Sequence, residues 1–510
     1  GNIDYLNENE ICIRLRATQQ NSSVLPSDSL YAIEHDAMDT TFRSMYQGLY
    51  AFMSATKERR DLLLFQREPQ FDVALDKQIA EAADDFTRIA LKAKAAKDYF
   101  LLVGPPGTGK TSCALKKMVE TFYKEEGAQI LLLSYTNRAV DEICKALSSI
   151  RPEVDFIRVG SELSCDENYR DHLIENELAT CMRRTEVCER INRCRILVGT
   201  VASISGKPEL FRLKHFDVAI VDEATQILEP QLLGILCAKG ENGKEGVGKF
   251  ILIGDHKQLP AVVLQNSEQS EVYDEALSAV GLKNLKDSLF ERLYRTARQH
   301  TDAHRTYDML CRQGRMHPEV ALFANQAFYE GRLLPVGLPH QLEDSGNINR
   351  LSFYPSQPEP MGSSAKTNHS EAKIAARLAA TVYKEHSEAF DASRTLGIIT
   401  PYRSQIALVK KEIEALGIPE LNQILIDTVE RFQGSERDVI IYSFCVNYPY
   451  QLKFLSNLTE EDGILIDRKL NVALTRARKQ MLLTGVPTLL ERNPLYKSLL
   501  KLIESLRNIA

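Results

Sequence analysis

The amino-acid sequence predicts an α/β fold with two tandem domains, each built around a parallel sheet. From Tyr99 onward, short continuous apolar runs alternate with amphipathic helical patterns, which is typical of parallel strands that helices cover on both faces. These runs fall into two series, with a boundary between residues 295 and 312. A length of 510 residues leaves room for both domains and for smaller accessory regions.

The N-terminal 65 residues have a different pattern from the rest of the chain. Residues 11–16 alternate like a short strand, and residues 29–33 are a candidate for a second strand. Residues 35–64 have a helical, charge-rich pattern that is interrupted at Gly48. We therefore expect residues 1–65 to form accessory strands and a pair of packed helices rather than a catalytic unit.

The two series of apolar runs define the two sheet domains. The first domain spans residues 66–305 and carries a polar helical insertion at about residues 161–195, and the second spans residues 306–510. Residues 335–368 are rich in Pro, Ser and Gly and predict a loop. The predicted strands cover residues 100–103, 130–133, 196–198, 218–221 and 250–253 in the first series and residues 396–399, 424–426, 439–442 and 481–483 in the second.

The composition excludes several classes of protein. Apolar residues make up 44% of the chain and charged residues 26%, which excludes a disordered or collagen-like chain. The net charge of −6 excludes a uniformly basic nucleic-acid coat but is compatible with a local basic groove. No apolar run approaches the roughly 18 residues that span a bilayer, so we expect no membrane partner. The ten cysteines contain no CxxC pair, so we expect free thiols in a reducing compartment, the cytoplasm or, in a eukaryote, also the nucleus.

A glycine-rich loop follows the first strand of the first domain. Residues 104–111, GPPGTGKT, fit the pattern G-x-x-x-x-G-K-[ST], with an apolar strand before them and a helical pattern after them. Glycines let backbone N–H groups approach phosphate oxygens at a helix N-terminus, and we expect the lysine to reach the β- and γ-phosphates. The residues of this loop that we predict to bind ATP are Gly104, Gly107, Thr108, Gly109, Lys110, Thr111 and Ser112.

Two later strands end in polar residues that suit the same chemistry. The strand at residues 218–221 is followed by Asp222, a candidate Mg²⁺ ligand together with Thr111, and by Glu223, a candidate general base for the attacking water. The strand at residues 250–253 leads to Gln258, which we expect near the γ-phosphate or the attacking water. We interpret His256 as a surface turn residue.

Together with six further motifs in order along the chain, these residues resemble a superfamily 1 helicase. The resemblance is closest to the subgroup that contains the nonsense-mediated-decay RNA helicase and its DNA-acting relatives, and it covers about residues 59–487. The further motifs are residues 134–142, 197–200, 314–319, 399–402, 428–438 and 470–478.

The resemblance implies two RecA-like domains that bind ATP and Mg²⁺ between them. Arg315 and Arg476 correspond to arginines that the second domain directs at the γ-phosphate, where a rigid guanidinium stabilises the charge in transfer. Glu436 corresponds to a residue that contacts the nucleotide, and Gln78 to a glutamine that reads adenine. The predicted catalytic set is Lys110, Glu223, Gln258, Arg315 and Arg476.

The resemblance also implies that single-stranded DNA or RNA lies across both domains of a monomer that moves 5′ to 3′. It relates the N-terminal strands and helices to the end of an accessory barrel and its stalk, and the insertion to a small helical accessory domain. The residues predicted to line the nucleic-acid path are Thr136, Asn137, Thr200, Thr400, Pro401, Tyr402 and Thr428.

One position departs from the family pattern, and two other functions share part of it. Gly314 stands where the family commonly has an aromatic residue that stacks on adenine, so adenine must be held otherwise or base selectivity is relaxed. The alternatives are a P-loop ATPase that remodels protein partners and a non-catalytic binding module derived from a helicase. No motif decides between DNA and RNA, or between unwinding and translocation alone.

Overall fold

The computed structural model describes residues 2–7, 10–14 and 40–507, apart from residues 242, 264, 266, 301–304, 345, 347, 361–363 and 462. The chain divides into two units, residues 1–43 and residues 44–510. In the first unit, strands β1 (Asn2–Leu6) and β2 (Ile11–Arg14) pair antiparallel, so the predicted N-terminal strand is present. The candidate strand at residues 29–33 lies outside the described residues.

The first sheet of the larger unit has seven parallel strands. In chain order these are β3 (Tyr99–Val103), β4 (Ile130–Ser134), β5 (Phe156–Val159), β6 (Ile196–Thr200), β7 (Phe216–Val221), β8 (Val247–Gly254) and β9 (Tyr307–Met309). Across the sheet they lie in the order β5-β6-β4-β7-β8-β3-β9. Every residue of β3 is buried, because helices cover both faces of the sheet and neither face meets water.

The second sheet has five parallel strands. The strands after β9 are β10 (Arg312–Gln313), β11 (Leu334–Pro335), β12 (Leu351–Pro355), β13 (Leu396–Ile399), β14 (Leu425–Asp427), β15 (Arg437–Ser443), β16 (Leu458–Glu461), β17 (Ile464–Asp467) and β18 (Ala477–Gly485). The second sheet has the order β12-β18-β15-β13-β14, while β10 pairs with β11 and β16 with β17. The fold is therefore α/β with two tandem RecA-like domains, as the sequence predicts.

Helices connect the strands and pack against both sheets. Where the sequence offers Asp or Thr before a helix, the side chain caps its first turn: Asp84 accepts a hydrogen bond from Thr87 N at 2.9 Å, and Thr136 accepts one from Ala139 N at 3.2 Å. The helices are α1 (Thr40–Ser54), α2 (Lys57–Leu63), α3 (Asp76–Ala80), α4 (Asp85–Ala95), α5 (Lys116–Tyr123), α6 (Asn137–Ser148), α7 (Ile174–Glu177), α8 (Arg184–Arg193), α9 (Val201–Ser205), α10 (Glu209–Leu213), α11 (Glu229–Leu236), α12 (Ser267–Ser270), α13 (Glu275–Ala279), α14 (Leu289–Gln299), α15 (Pro318–Phe328), α16 (Pro339–Leu342), α17 (His369–Glu385), α18 (Arg403–Glu414), α19 (Val429–Phe432), α20 (Leu452–Leu455), α21 (Arg468–Leu474), α22 (Pro487–Leu490) and α23 (Pro494–Arg507).

The division into regions differs from the prediction at two boundaries. Strand β9 belongs to the first sheet, so the boundary that we set between residues 305 and 306 falls too early. Leu310 N then donates to Val103 O at 2.9 Å, and the chain leaves the first sheet immediately afterwards. The predicted accessory region of residues 1–65 is also divided, because residues 44–65 belong to the larger unit.

Two local predictions are wrong for identifiable reasons. Helix α1 is not interrupted at Gly48: a Cβ at this position would lie 1.7 Å from Pro230 O, so glycine lets α1 pass close to α11. The predicted loop at residues 335–368 contains β12, which forms an edge of the second sheet beside β18.

The insertion at residues 161–195 contains the short helices α7 and α8. Within the described ranges, no helix has both the length and the apolar character needed to cross a bilayer.

Candidate functional site

The glycine-rich loop joins β3 to a helix at the carboxyl end of the first sheet. Gly107 and Gly109 have φ angles of 72° and 76°, which other residues rarely adopt. A Cβ built at Gly104 would lie 2.1 Å from Cγ of Lys110, so only glycine fits beneath that side chain. Thr108 is buried, and its hydroxyl donates to Pro105 O at 2.7 Å. The loop therefore has the tight backbone conformation that a phosphate cradle requires.

The side chains predicted to act on phosphate and metal meet at the end of β7. Thr111 Oγ1 donates a hydrogen bond to Asp222 Oδ2, and Lys110 Nζ lies 3.5 Å from Glu223 Oε1. Burial, together with the neighbouring Glu223, raises the pKa of Asp222 to about 6. A hydroxyl beside a buried carboxylate is an oxygen donor set of the kind that Mg²⁺ binds, so these residues fit the metal. Ser112 is exposed at the start of the π-helical segment Lys110–Leu115, which leads into α5.

Glu223 is held in a strained conformation. Its φ angle is 53°, which is uncommon for a residue other than glycine. Its side chain accepts a hydrogen bond from Gln226 Nε2 at 3.0 Å. Backbone strain of this kind persists only where the surroundings enforce it, and it occurs preferentially at functional sites.

Gln258 and Arg476 connect the two domains. Arg476 Nη2 donates to Gln258 Oε1 at 3.1 Å, and Gln258 Nε2 donates to Asp255 Oδ2 at 2.8 Å. Arg476 is 2% exposed, and burial together with the charge of Arg315 lowers its pKa to about 9. The structure therefore brings together a glutamine of the first domain and an arginine of the second.

Arg315 and Glu436 form an ion pair on the second domain. Arg315 Nε donates to Glu436 Oε2 at 2.5 Å. Burial would raise the pKa of Glu436, but the charge of Arg315 and its hydrogen bond outweigh burial and lower the pKa. The residue before Arg315, Gly314, donates its N–H to Gly107 O at 2.8 Å, so this segment contacts the glycine-rich loop directly.

Two residues outside the predicted site set, Tyr329 and Asn471, join the same interface. Tyr329 is fully buried at the end of α15, and its hydroxyl donates to Asp255 Oδ2 at 2.7 Å. Asn471 Nδ2 donates both to the Tyr329 hydroxyl at 2.8 Å and to Lys257 O at 2.7 Å. We call Asp255, Gln258, Tyr329, Asn471 and Arg476 the interdomain relay, because hydrogen bonds link them across the domain boundary.

Ion pairs surround this relay, and one of them corrects a prediction. His256 is 6% exposed rather than a surface turn residue, and its Nε2 lies 2.8 Å from Glu461 Oε2 on β16. Burial would raise the pKa of Glu461, but the hydrogen bond and charge of His256 outweigh it and lower the pKa to about 2. Arg468 and Glu291 form a second ion pair across the same boundary.

The residues predicted to hold adenine are arranged differently from the expectation. Gln78 is exposed on α3 and does not line the cavity of about 460 Å³ that opens beside Phe86, Arg312 and Val336. Phe86 Cζ lies 3.5 Å from a Cβ built at Gly109, so this cavity adjoins the glycine-rich loop. A Cβ at Gly314 would lie 3.2 Å from both Val336 and Leu338. Aliphatic side chains therefore occupy the space where the family commonly has an aromatic ring.

The predicted path residues lie at the carboxyl ends of strands in both sheets. Thr136 and Asn137 follow β4, Thr200 ends β6, residues 400–402 follow β13, and Thr428 follows β14. Thr136 is exposed, and Asn137, Pro401, Tyr402 and Thr428 are half-buried.

Thr200 and Thr400 differ in how well they match the prediction that they line the nucleic-acid path. Thr200 is 7% exposed, and its hydroxyl accepts a hydrogen bond from Ser203 N at 3.0 Å to cap α9. Thr400 is fully buried, and its hydroxyl has no hydrogen-bond partner among the described residues. The side chain of Thr400 therefore does not line a surface, which corrects that assignment.

Comparisons with known proteins give a matching family description and several relatives. Residues 285–488 match a sequence-family model described as an AAA domain, and residues 78–187 and 176–266 match a second model with the same description. The DNA replication ATP-dependent helicase/nuclease DNA2 of Bos taurus is 27% identical over 542 residues, which cover 95% of this chain and 46% of that protein. The protein of the same name from Homo sapiens is 28% identical over 535 residues, covering 94% and 46%.

A shorter relative extends the comparison. The DNA polymerase alpha-associated DNA helicase A of Saccharomyces cerevisiae is 26% identical over 482 residues, covering 80% of this chain and 65% of that protein. The chain spans about half the length of the DNA2 proteins that it matches. With two RecA-like domains, a glycine-rich loop and the arginines of the second domain facing one interface, the chain is a member of the superfamily 1 helicases, of the type to which these relatives belong.

Proposed function

We propose that the chain is a motor that hydrolyses ATP between its two sheet domains and moves along single-stranded nucleic acid. The observation that carries the proposal is the hydrogen bond from Arg476 to Gln258, because it joins the second domain to the first at the place where phosphate chemistry is expected. The charge of Glu223 also acts on Arg476, so the candidate base and the candidate arginine are near neighbours. The names of the relatives, which include "ATP-dependent helicase", support the same function.

ATP lies, in this proposal, between the glycine-rich loop and the two arginines. Backbone N–H groups of residues 104–111 and the Lys110 ammonium bind the phosphates. Arg315 and Arg476 stabilise the negative charge that spreads over the γ-phosphate during transfer. Phe86 and the adjoining cavity receive the base, and Gln78 is left without a role because it lies outside that cavity.

Glu223 orients the attacking water and accepts its proton. Gln226 holds the carboxylate in place, and the end of β7 fixes the backbone behind it. Thr111 and Asp222 would hold Mg²⁺, which would supply positive charge to neutralise the phosphates.

Opening and closing of the domain interface drive movement. The γ-phosphate draws Arg315 and Arg476 towards the glycine-rich loop, and its release removes that attraction. Residues 136–137 of the first domain and residues 401–402 of the second hold the nucleic-acid strand alternately. We keep the expectations of a monomer, of movement from 5′ to 3′ and of work in a reducing compartment, and we leave DNA and RNA as equal candidates.

Steady-state ATPase activity with Mg²⁺ tests this function. The rate is measured without nucleic acid, with single-stranded DNA and with single-stranded RNA, for the wild-type chain, for Lys110→Ala and for Lys124→Ala, a control at an exposed lysine after α5. We expect stimulation by at least one strand, loss of nucleotide binding and turnover in Lys110→Ala, and an unchanged rate in Lys124→Ala. Hydrolysis that neither strand stimulates would instead favour remodelling of a protein partner, and no hydrolysis would favour a non-catalytic module.

A further inference from the structure

Three aromatic side chains contact one another between β15 and β16. Tyr448 and Tyr450 stack with ring centroids 5.8 Å apart and an interplanar angle of 13°, and Tyr450 meets Phe454 edge-on at 6.4 Å. Tyr450 is 53% exposed and Phe454 is 64% exposed. We call Tyr448, Tyr450 and Phe454 the aromatic platform.

Buried contacts beneath the platform fix it in place. Gln451 is 1% exposed, and its Oε1 accepts hydrogen bonds from the N–H groups of Asn447 and Tyr448 at 2.9 Å each. Leu452 and Leu455 bury the opposite face of α20 in the core of the second domain. The exposure of the aromatic rings is therefore a property of an anchored segment, in which one face packs inward and the other carries Phe454.

The platform is continuous with the predicted nucleic-acid path. Gln451 Nε2 donates to the Tyr402 hydroxyl at 3.2 Å, so one buried amide supports both the platform and a path residue. On the other side, Lys469 Nζ lies 3.2 Å from Glu430 Oε1, two residues after Thr428, and donates to Phe454 O at 3.3 Å. The loop at residues 400–402 and the segment that begins at Thr428 therefore both border the aromatic platform.

Exposed basic side chains accompany the aromatic rings. Lys453 lies within the segment itself, and Arg403 follows Tyr402. Lys366 is exposed next to Ala365, whose carbonyl accepts a hydrogen bond from Gln451 Nε2 at 2.6 Å. Aromatic faces for the bases and cations for the phosphates are the two components of a surface that binds single strands without reading sequence.

We propose that Tyr450 and Phe454, supported by Tyr448, stack against bases of the single strand and extend its path on the second domain beyond Tyr402. The inference rests on the proposed function, since it names a base contact of the same motor. Stacking tolerates every base and both sugars, so the platform would hold DNA and RNA alike.

The absence of tryptophan from the sequence makes a direct test possible. Phe454→Trp in the full chain places a single indole in the platform, and Tyr273→Trp places one at a residue of the first domain that is 78% exposed. Binding of a fluorescein-labelled oligothymidylate is followed by anisotropy and, with an unlabelled strand, by indole fluorescence. We expect the strand to quench the indole of Phe454→Trp with the same Kd as the anisotropy, and to leave Tyr273→Trp unchanged.

Two further measurements separate stacking from phosphate binding. Phe454→Ala is expected to raise the Kd by roughly 5- to 150-fold, the range for loss of one stacked base, while the slope of log Kd against log salt stays that of the wild-type chain. An abasic oligonucleotide of equal length should bind without quenching Phe454→Trp. Phe454→Trp and Phe454→Ala should both keep the ATPase activity that the wild-type chain has without nucleic acid. Unchanged activity would show that both variants fold.

The possible outcomes test the aromatic platform separately from the proposed motor function. A strand that binds by anisotropy but neither quenches Phe454→Trp nor binds Phe454→Ala more weakly would overturn the platform, leave the motor intact and favour a protein partner for this surface. A wild-type chain that neither binds a strand nor is stimulated by one would overturn both.

Discussion

Gln258 of the first domain and Arg476 of the second are joined by a hydrogen bond of 3.1 Å between two buried side chains. The other end of the glutamine amide donates to Asp255, which belongs to the first domain and in turn accepts a hydrogen bond from Tyr329 of the second. The Arg476 end of the amide crosses the domain boundary, whereas the Asp255 end stays within the first domain. Separation of the domains would break the bond between Gln258 and Arg476 and would remove the Tyr329 donor from Asp255, so both side chains of the first domain would lose a partner.

Replacement of Arg476 by Ala is the strongest test of the catalytic set. We expect kcat to fall by about 10³- to 10⁵-fold, the range for loss of an arginine that stabilises a transferring phosphoryl group, with nucleotide affinity largely retained. Steady-state ATPase assays and titration of a fluorescent nucleotide measure the two quantities. Arg492→Ala, at an exposed arginine of the same domain, is the control. Turnover in Arg476→Ala close to that of the wild-type chain would remove this residue from the set.

Removal of the Tyr329 hydroxyl tests the interdomain relay. Tyr329→Phe keeps the buried ring but deprives Asp255 of a donor, and a hydrogen bond to a charged group contributes about 1.5–3 kcal/mol. We therefore expect strand-stimulated kcat to fall by roughly tenfold or more, with KM for ATP within about twofold of the wild-type value, since Tyr329 does not contact the glycine-rich loop.

The control for this variant is Tyr442→Phe, at a fully buried tyrosine of β15 in the second domain. Both substitutions remove one phenol oxygen from the same domain, so a difference between them reflects the relay. In addition, Tyr329→Phe and Gln258→Ala should be less than additive when combined, because they act on one network. Full additivity would show that Tyr329 contributes only to stability.

Restoration of an aromatic residue at position 314 is expected to be harmful. In Gly314→Tyr the Cβ would lie 3.2 Å from Val336 and Leu338, so the ring must displace side chains that already occupy its place. We expect ATP to bind several-fold more weakly than to the wild-type chain in a fluorescent-nucleotide competition assay, with Gly314→Ala intermediate. Tighter binding by Gly314→Tyr would mean that residues 336–338 move aside and leave room for a stacked ring.

The pH dependence of stability is expected to change in Glu371→Gln. Glu371 is fully buried on α17, where its carboxylate accepts hydrogen bonds from Ser443 Oγ at 2.7 Å and Cys445 N at 2.8 Å, and burial raises its pKa from 4.5 to about 7. The folded chain thus keeps a proton that the unfolded chain releases, and the wild-type chain loses stability as the pH rises between these two values.

Glutamine retains the shape of this side chain but does not titrate. The difference in Tm between Glu371→Gln and the wild-type chain should therefore move in favour of the variant between pH 5 and pH 8, as measured by thermal unfolding. Glu385→Gln, at an exposed position of the same helix, should show no such trend. A difference in Tm that is the same at every pH would show that Glu371 does not bind a proton in the folded chain.

The errors of the sequence interpretation have a common physical origin. Strands without charge, such as β3 and β4, are evident as apolar runs, whereas β5 and β9 each contain a buried or half-buried charge that breaks the run. In β5 it is Arg158, 0% exposed and 2.8 Å from Asp141, and in β9 it is Asp308, which accepts a hydrogen bond from Lys92 at 2.8 Å. The charges are tolerated because partners from neighbouring helices neutralise them, and that neutralisation is invisible until the helices are in place.

Contacts between residues far apart in sequence also limited the prediction of the candidate site. The glycine-rich loop, Asp222, Glu223 and Gln258 lie on local patterns whose chemistry can be deduced from neighbours in sequence. Tyr329 and Asn471 act through partners 74 and 214 residues away, Asp255 and Lys257 respectively. Asn471 lies in the motif at residues 470–478, but the motif does not indicate these partners. Gly48 misled the interpretation in the opposite direction, because a glycine that breaks an isolated helix also permits close helix packing.

The end of β9 has a mechanical consequence. Leu310 is the last residue hydrogen-bonded to β3, the strand that carries the glycine-rich loop, and Cys311 alone separates it from β10. The covalent link between the domains is therefore too short to extend at this point. A force that the bound nucleic acid exerts on the second domain would be transmitted to β3 along the backbone. It would reach the phosphate-binding loop without passing through any side-chain contact.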